Sequence, residues 1–327
     1  MNPAPARRGW ALWRCGVKIT IVGPGAVGLL FGASLIKSKE DLHFLDHDPK
    51  RAQKLKKDGI KIEGISGSHH VDIDVTTDPE AIGVSDLVIV CVKSYDTEEA
   101  IKNAKPLISD NTQVLTLQNG VGNVQILEDA VGEDRVIGGV TNQGANMAGW
   151  GHVIHAGRGE TVIGKRDKKI LGPIREIAKV LNRAGFSTKV SKDIDSIIWS
   201  KLIINAGINA LTAITRLNNG RLLEFDGTKE IMKKAVSEAV KVAKRRRIKL
   251  IYDDPIQKVE SVCKATAKNV SSMLQDVLKN RKTEIDFING AIIRQGANYN
   301  IPTPTNEVLT SQIKTIESSY DKQVRPQ

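Results

Sequence analysis

Residues 17–28, VKITIVGPGAVG, constrain this chain more than any other stretch: a short apolar strand runs directly into a glycine-rich turn. Val17, Ile19, Ile21 and Val22 are strand formers, and Gly23, Gly25 and Gly28 follow with G-x-G-x-x-G spacing. The next residues, AVGLLFGASLIKS, have helical periodicity and end in polar residues. Alone, such spacing is often no more than a glycine-rich turn. Between a strand and a helix it predicts a dinucleotide-binding turn. Gly23 is expected to make the sharp turn, Gly25 to let the backbone approach a pyrophosphate, and Gly28 to let helix and strand pack closely. Free backbone N–H groups and the positive helix end then hold the phosphates. The cofactor-binding stretch is therefore expected over Gly23, Pro24, Gly25, Ala26, Val27 and Gly28.

At 327 residues the chain has room for two domains. A hydrophobic share of 40% and a charged share of 26% are ordinary for a globular protein. The net charge of +11 reads as a lysine-rich solvated surface with some attraction for anionic small molecules. Nucleic-acid binding is disfavoured, because the basic run Lys244–Arg247 lacks interleaved aromatics and aromatics are only 4% of the chain. Cys15, Cys91 and Cys263 have no metal-ligand spacing, and Cys91, inside an apolar run, is expected to be a buried thiol. This usage points to a reducing, cytoplasmic setting. No apolar stretch of the roughly 18 residues that cross a bilayer is expected, so no membrane partner is. Residues 1–16 carry positive charge without a long apolar core; they are expected to be a disordered extension or an upstream start, with Val17 near the true beginning.

The first half alternates strand and helix. Strands are expected at Leu42–Leu45, Gly59–Glu63, Val71–Val75, Asp86–Val92, Gln113–Leu117 and Arg135–Val140. Helices are expected at Pro49–Lys57, Thr97–Ala104 and Asn123–Ala130. The continuous apolar run of Asp86–Val92 is that of a strand buried on both faces. The alternation predicts a parallel, doubly wound sheet. Three shorter strand-like pieces, near Ala145–Met147, His152–His155 and Thr161–Ile163, extend the sheet or cover its edge. From about Lys192 helical patterns take over, chiefly Asp195–Leu211, Thr228–Arg247, Pro255–Val270 and Ile285–Gln295. The fold class is thus α/β: a Rossmann-type parallel-sheet domain over residues 17–191, followed by an all-helical domain over 192–327. Ligands of open α/β sheets bind beyond the carboxyl ends of the strands, and a helical domain over that edge is expected to close a substrate cleft.

Lys201, Asn205 and Asn209 in WSKLIINAGINALTAI lie at i, i+4 spacing on one face of an otherwise apolar helix. A polar stripe there needs partners. It either ties helices together or forms a cleft wall with one ammonium and two amides, suited to an oxygen-rich anion. In residues 269–286, Asn269, Ser272 and Glu284 stand out, while Ser271 and Ser272 also suit helix caps. Met273, Leu274 and Val277 read as core, and Asp276 and Arg281 as solvated charges. Lys93 and Asn119 each lie just beyond a predicted parallel strand, where a bound cofactor is expected. His69–His70 reads as an exposed loop pair, and His152 and His155 as residues of a sheet surface. No metal-ligand cluster is expected.

VKITIVGPGAVG, VKSYDT, LQNGVGN, GGVTNQGA, WSKLIINAGINALTA, NNG and SSMLQDVLKNRKTEIDFINGAI occur in this order. As a set they resemble the ketopantoate reductase (2-dehydropantoate 2-reductase) family, a branch of the 6-phosphogluconate dehydrogenase-like superfamily, over essentially all of residues 17–320. The resemblance implies reduction of a small-molecule 2-oxo acid by a nicotinamide dinucleotide, in pantothenate and coenzyme A synthesis. It makes Lys201 the catalytic proton donor to the substrate carbonyl. It places Asn205, Asn209 and Asn219 on the substrate and Asn269 and Ser272 at its carboxylate end. It also implies that Asn119 touches both cofactor and substrate, with Lys93 and Ala145 on the cofactor and Glu284 near the nicotinamide ribose. A homodimer through the helical domain and feedback inhibition by coenzyme A are further expectations that no motif specifies.

At the end of the second strand the family usually carries an arginine for the 2′-phosphate of NADP(H), and that position here is His47, between Asp46 and Asp48. A carboxylate there favours the free ribose hydroxyl of NAD(H). Lys50 and Arg51, one turn on, can still reach a phosphate. The family resemblance favours NADP(H); the carboxylates leave NAD(H) open. The alternatives are a D-2-hydroxyacid dehydrogenase of the same family acting on a mandelate-like or branched 2-oxo acid, and a non-catalytic dinucleotide-binding sensor.

Overall fold

The computed structural model describes residues 16–168, 170 and 172–324. Cys15 and the expected N-terminal extension up to residue 15 lie outside them. The chain divides into two compact units. One comprises residues through Gln118 together with Asn123–Ile194; the other is Asn119–Gly122 with Asp195–Gln327. The loop Asn119–Gly122 therefore belongs with the helical residues rather than with the sheet it leaves.

The first unit contains β1 (Lys18–Val22), α1 (Ala26–Lys37), β2 (Asp41–Leu45), α2 (Pro49–Asp58), β3 (Ile60–Gly64), β4 (His69–Val71) and β5 (Asp74–Thr76). Then follow α3 (Pro79–Ile82), β6 (Leu87–Val90), α4 (Thr97–Asn103), β7 (Gln113–Thr116), α5 (Asn123–Val131) and β8 (Val136–Thr141). The unit ends with β9 (Gly144–Gly149), β10 (His152–Gly157), β11 (Thr161–Gly164), α6 (Gly172–Arg183) and β12 (Thr188–Ser191). The main sheet has the order β12-β11-β8-β7-β6-β1-β2-β5. It is parallel from β8 to β5, and β11 joins β8 antiparallel. This is a Rossmann-like, parallel-dominated sheet.

The two faces of β6 show why its sequence is continuously apolar. Leu87 and Ile89 enter one hydrophobic cluster with α1 and α6, while Val88 and Val90 enter another with α4 and α5. Period-two alternation has no meaning when both faces are covered. The turn after β1 departs from ordinary backbone: Gly23 has φ +95° and lies so close to β6 that a Cβ would stand 2.5 Å from Val92 Cγ1. A Cβ on Gly28 would stand 2.5 Å from Gly23 O, so the third glycine sets the approach of α1 to the turn.

Four expectations are corrected here. Val71–Val75 is not one strand: β4 ends at Val71 in a second sheet, of order β4-β3-β10-β9, and β5 begins at Asp74 on the edge of the main sheet. The His69–His70 pair lies on β4, not in a loop. His155 is not at a surface; it is 5% exposed, because α1 packs over the second sheet. The expected lack of a bilayer-length apolar stretch fails on length and composition, since the helix Ile194–Thr215 has 22 residues and contains an 18-residue window of mean hydropathy 1.5. Its most apolar window is 67% buried within the structure, so those side chains serve the protein core.

The second unit is helical: α7 (Ile194–Thr215), α8 (Asp226–Arg245), α9 (Pro255–Ala265), α10 (Ser272–Leu278), α11 (Asn289–Ala297) and α12 (Pro304–Ser318). Its core gathers Trp199, Leu202, Ile203, Ala206, Met232, Val236, Leu274 and Ile313, among others. The helix expected at Ile285–Gln295 starts late. Residues Ile285–Phe287 form a 3-10 turn, and Ile288, with φ −107° and ψ −93°, breaks it from α11.

Gly32 offers a test of packing in the sheet unit. Replacing a mid-helix glycine by alanine gains about 1 kcal/mol of helix propensity. Here the new Cβ would stand 2.1 Å from Cζ of Phe44, a fully buried ring. Overpacking costs about 1–3 kcal/mol, so Gly32→Ala is expected to lower the urea midpoint; a raised midpoint would refute this packing account.

Candidate active site

The turn after β1 is built to meet an anion. Gly25 is the N-cap of α1, and no side chain caps it. Its own N–H donates to Gly23 O, and Leu29 N donates to Gly25 O. The amides of Ala26, Val27 and Gly28 are left as first-turn donors. A Cβ at Gly25 would meet nothing nearer than Cys91 O at 3.8 Å. Open space in front of unpaired amides is what a pyrophosphate needs, so these residues fit a dinucleotide. Pro24 is buried behind the turn, and Val27 packs on the sheet core.

Beyond β2, the carboxylate of Asp46 is wholly buried and bound by Arg51, whose Nε donates to Oδ2 at 2.7 Å and whose Nη2 donates to Oδ1. Asp48 accepts from Lys50 N and Arg51 N and so caps α2. Both carboxylates are spent within the protein. Arg51 spends its Nε and Nη2 on Asp46. The His47 side chain is 69% exposed, and Lys50 is exposed too.

Lys93 follows β6 at the head of a short 3-10 turn, Ser94–Asp96. Four polar residues that sequence patterns did not single out hold this turn. Gln118 Nε2 donates to Val92 O at 2.9 Å and Thr97 Oγ1 at 2.8 Å; Asn123 Nδ2 donates to Ser94 Oγ at 3.0 Å. The available signal was the two amides flanking N-G-V-G. Ala145 lies on β9 opposite His155 and packs on the sheet core. The Cys91 thiol, largely covered, is pushed up to about 12 by burial.

In the helical unit, α7 carries Lys201, Asn205 and Asn209. Its first turns are anchored around the lysine: Arg246 stacks over the Trp199 ring at 5.1 Å, and Tyr252 Oη donates to Ser200 O at 2.8 Å. Lys201 is partly buried, and its ammonium falls to about 8 because burial disfavours the charge, with the Glu284 carboxylate opposing that fall. Glu284 is 6% exposed. The turn bearing it is fixed on both sides: Thr283 N donates to Glu317 Oε1 at 2.6 Å, and Ile285 N donates to Thr283 Oγ1 at 3.2 Å.

The loop carrying Asn119 docks on the same turn. Val121 N donates to Phe287 O at 2.9 Å. Gly120, at φ +86°, lies so near that a Cβ would stand 2.4 Å from Phe287 O. Asn119 and Glu284 thus share one anchoring element.

Two ties hold the segments that carry the remaining amides and hydroxyls. Thr212 Oγ1 hydrogen-bonds Ser271 Oγ at 2.7 Å and donates to Asn209 O at 2.9 Å, joining α7 to the start of α10. Ser271, rather than Ser272, caps α10, accepting from Leu274 N. Ser272 is left exposed beside it. Asn219 N donates to Asn269 O at 3.0 Å, and its Nδ2 donates to Thr266 Oγ1 at 2.9 Å. The buried Oδ1 of Asn219 has no partner among the described residues. Met273, Leu274 and Val277 are core, as their spacing suggested. Asp276 is corrected: it is 7% exposed, because α10 turns that side inward. Lys93, the glycine turn, Asp46 and Ala145 belong to the sheet unit, and Asn119, Lys201, Asn205, Asn209, Asn219, Asn269, Ser272 and Glu284 to the helical one.

The opposition between burial and Glu284 predicts that Glu284→Gln lowers the Lys201 ammonium below about 8. Titration of lysine labelled with 13C at Cε measures it; an unchanged midpoint would disprove the coupling.

Comparison with known proteins places both the sheet unit and the helical unit in one family. The family model described as "Ketopantoate reductase PanE/ApbA" matches residues 19–168, and its C-terminal counterpart matches residues 193–317. The 2-dehydropantoate 2-reductase of Archaeoglobus fulgidus is 36% identical over 301 residues, covering 92% of this chain and 98% of that one. That of Pyrococcus horikoshii is 36% identical over 302 residues, covering 92% and 98%. Among solved structures, a PanE/ApbA family ketopantoate reductase from Ralstonia eutropha superposes with TM-score 0.85 at 34% identity, covering 93% of this chain and 99% of that one. A D-mandelate dehydrogenase, in ternary structure with NADH and anilino(oxo)acetate, superposes with TM-score 0.87 at 28% identity, covering 93% and 99%. The chain belongs to the ketopantoate reductase PanE/ApbA family of NAD(P)-dependent oxidoreductases.

Proposed function

We propose that this protein is a 2-dehydropantoate 2-reductase, with Lys201 as the proton donor and NADPH as the preferred reductant. The observation that carries the reading is a partly buried ammonium on an apolar helix, brought near neutral pH and backed by a buried carboxylate. A bound reduced nicotinamide supplies the hydride that reaches the keto carbon. As negative charge builds on the carbonyl oxygen, Lys201 Nζ stabilises it and delivers the proton. Its lowered pKa makes the proton easier to give, and Glu284 keeps enough charge on the amine for the group to begin protonated. Asn205, Asn209 and Asn219 orient the substrate by hydrogen bonds. Ser272 and Asn269 take its carboxylate end, and Asn119 aligns it from the loop fixed by Phe287. The amides of Ala26, Val27 and Gly28 hold the pyrophosphate, and Lys93 and Ala145 face the cofactor. The same reading carries a place in pantothenate synthesis, a cytoplasmic location, a homodimer, and competition by coenzyme A at the glycine turn.

Lys201→Ala is expected to lower kcat on 2-dehydropantoate by about a hundredfold or more, as loss of a general acid does. The wild-type rate is expected to decline as pH rises past about 8, where the ammonium loses its proton. Following the reduced nicotinamide's absorbance tests both; full turnover by a folded Lys201→Ala protein overturns the assignment. Phenylglyoxylate assayed alongside tests the D-mandelate-type alternative favoured by the structural similarity, and faster turnover of that acid selects it.

The preference for NADPH rests on Asp46. An acidic residue at this position selects NAD(H) when its oxygens are free to accept from the ribose, but here both are bound by Arg51. The exposed His47 and Lys50 then favour a phosphate. Arg51→Ala frees the carboxylate and is expected to shift the kcat/KM ratio at least tenfold toward NADH; an unchanged ratio refutes the role given to Asp46.

A further inference from the structure

On the sheet unit, a cavity of about 590 Å3 opens between the C-terminal half of α1, the β4-β3-β10-β9 sheet and the turn from α6 into β12. It is large enough for a small metabolite. It shares no residue with the glycine turn, Asp46, Lys93 or Ala145. Its lining includes Lys37, Arg158, Arg183, His69 and His155 and contains no carboxylate. Arg183 is neutralised by Glu40, which it meets at 2.7 Å. Lys37 and Arg158 have no acidic partner among the described residues. Like charges gathered around a concave wall repel one another, and an anion between them removes that cost.

The polar groups behind the cations point the same way. Ser66 Oγ is a buried atom without a hydrogen-bond partner among the described residues, and His155 Nδ1 is buried beside the Gly157 backbone. The other His155 nitrogen is fixed by Gln143 Oε1 at 3.0 Å, so the ring is held in place. Burial and then Lys37 hold His69 below the ordinary imidazole range, and burial and then Arg158 do the same to His155. Both imidazoles therefore sit beside a cation that lacks a counter-charge. The floor is rigid, because Phe186 stacks on Phe31 with ring centroids 3.8 Å apart.

We propose that this cavity is a second ligand site, distinct from the dinucleotide turn, for a small phosphorylated metabolite. An ammonium from α1, a hydroxyl and an imidazole from β4 and the turn before it, and an imidazole and a guanidinium from β10 and the loop after it line the one cavity. A phosphate can meet them together, because its oxygens point in several directions, whereas a carboxylate presents only two. The proposal does not depend on which 2-oxo acid the protein reduces.

The test titrates inorganic pyrophosphate into the full chain by calorimetry, with saturating NADP+ to occupy the glycine turn. Binding is expected to persist with the dinucleotide present. Lys37→Ala/Arg158→Ala is expected to weaken it at least tenfold, with NADP+ affinity and thermal unfolding unchanged. Arg158→Gln alone, a milder change at an exposed residue, is expected to weaken it about threefold if the double variant fails to fold. Malonate is expected to bind at least tenfold more weakly than pyrophosphate. The proposal is overturned if pyrophosphate does not bind, if NADP+ displaces it, if the variants bind it as wild type does, or if malonate binds as well.

Discussion

The helical unit is arranged around one costly choice, a lysine ammonium placed on an apolar helix. Leu202, Ile203 and Ala206 around it are buried in the core, and a charge there is penalised by lost hydration. The Glu284 carboxylate offsets part of that penalty. It can do so only if the turn that carries it is fixed. Thr283 is tied to Glu317 on α12, and the break at Ile288 separates the turn from α11. The same turn receives the loop of Asn119 through Val121 and Phe287. Residues far apart in sequence thus share one small anchor.

A second buried carboxylate holds the helices that support α7. Glu238 on α8 is 8% exposed and accepts from Thr305 N at 2.9 Å and Asn306 N at 3.0 Å, capping α12 from outside the helix. Asn306 Oδ1 accepts from Asn289 Nδ2, which also donates to Ala206 O, next to Asn205. Unpaired, each of these groups would cost about 1–3 kcal/mol. Joined, they fix the backbone on which the polar stripe stands.

Much of this was legible in the sequence, where local pattern and tertiary fate agree. The run ending in Val92 reads as a two-faced strand because both faces are in fact covered. The stripe of Lys201, Asn205 and Asn209 shows because its neighbours are apolar. What stayed hidden depends on remote partners. Glu238 reads as a solvated helix charge until α12 docks on it, and His155 is buried by α1, distant in the chain. The split of Val71–Val75 between two sheets has no local marker beyond Asp72, since both pieces have strand character. Helix α12 did carry a signal, with Leu309, Ile313 and Ile316 at i, i+4 and i+7, diluted by threonines and serines. The commitment of Arg51 to Asp46 could not be read from spacing, because it turns on which way a long side chain folds.

An amine that gives up its proton near pH 8 is still mostly protonated at neutral pH and passes to its neutral form within about one pH unit above it. In the proposed reaction the ammonium is the acid, and its deprotonated form would be the matching base for the hydroxyl proton of a 2-hydroxy acid. The depth at which α7 sits in its core thereby sets the pH at which this amine changes from an acid into a base.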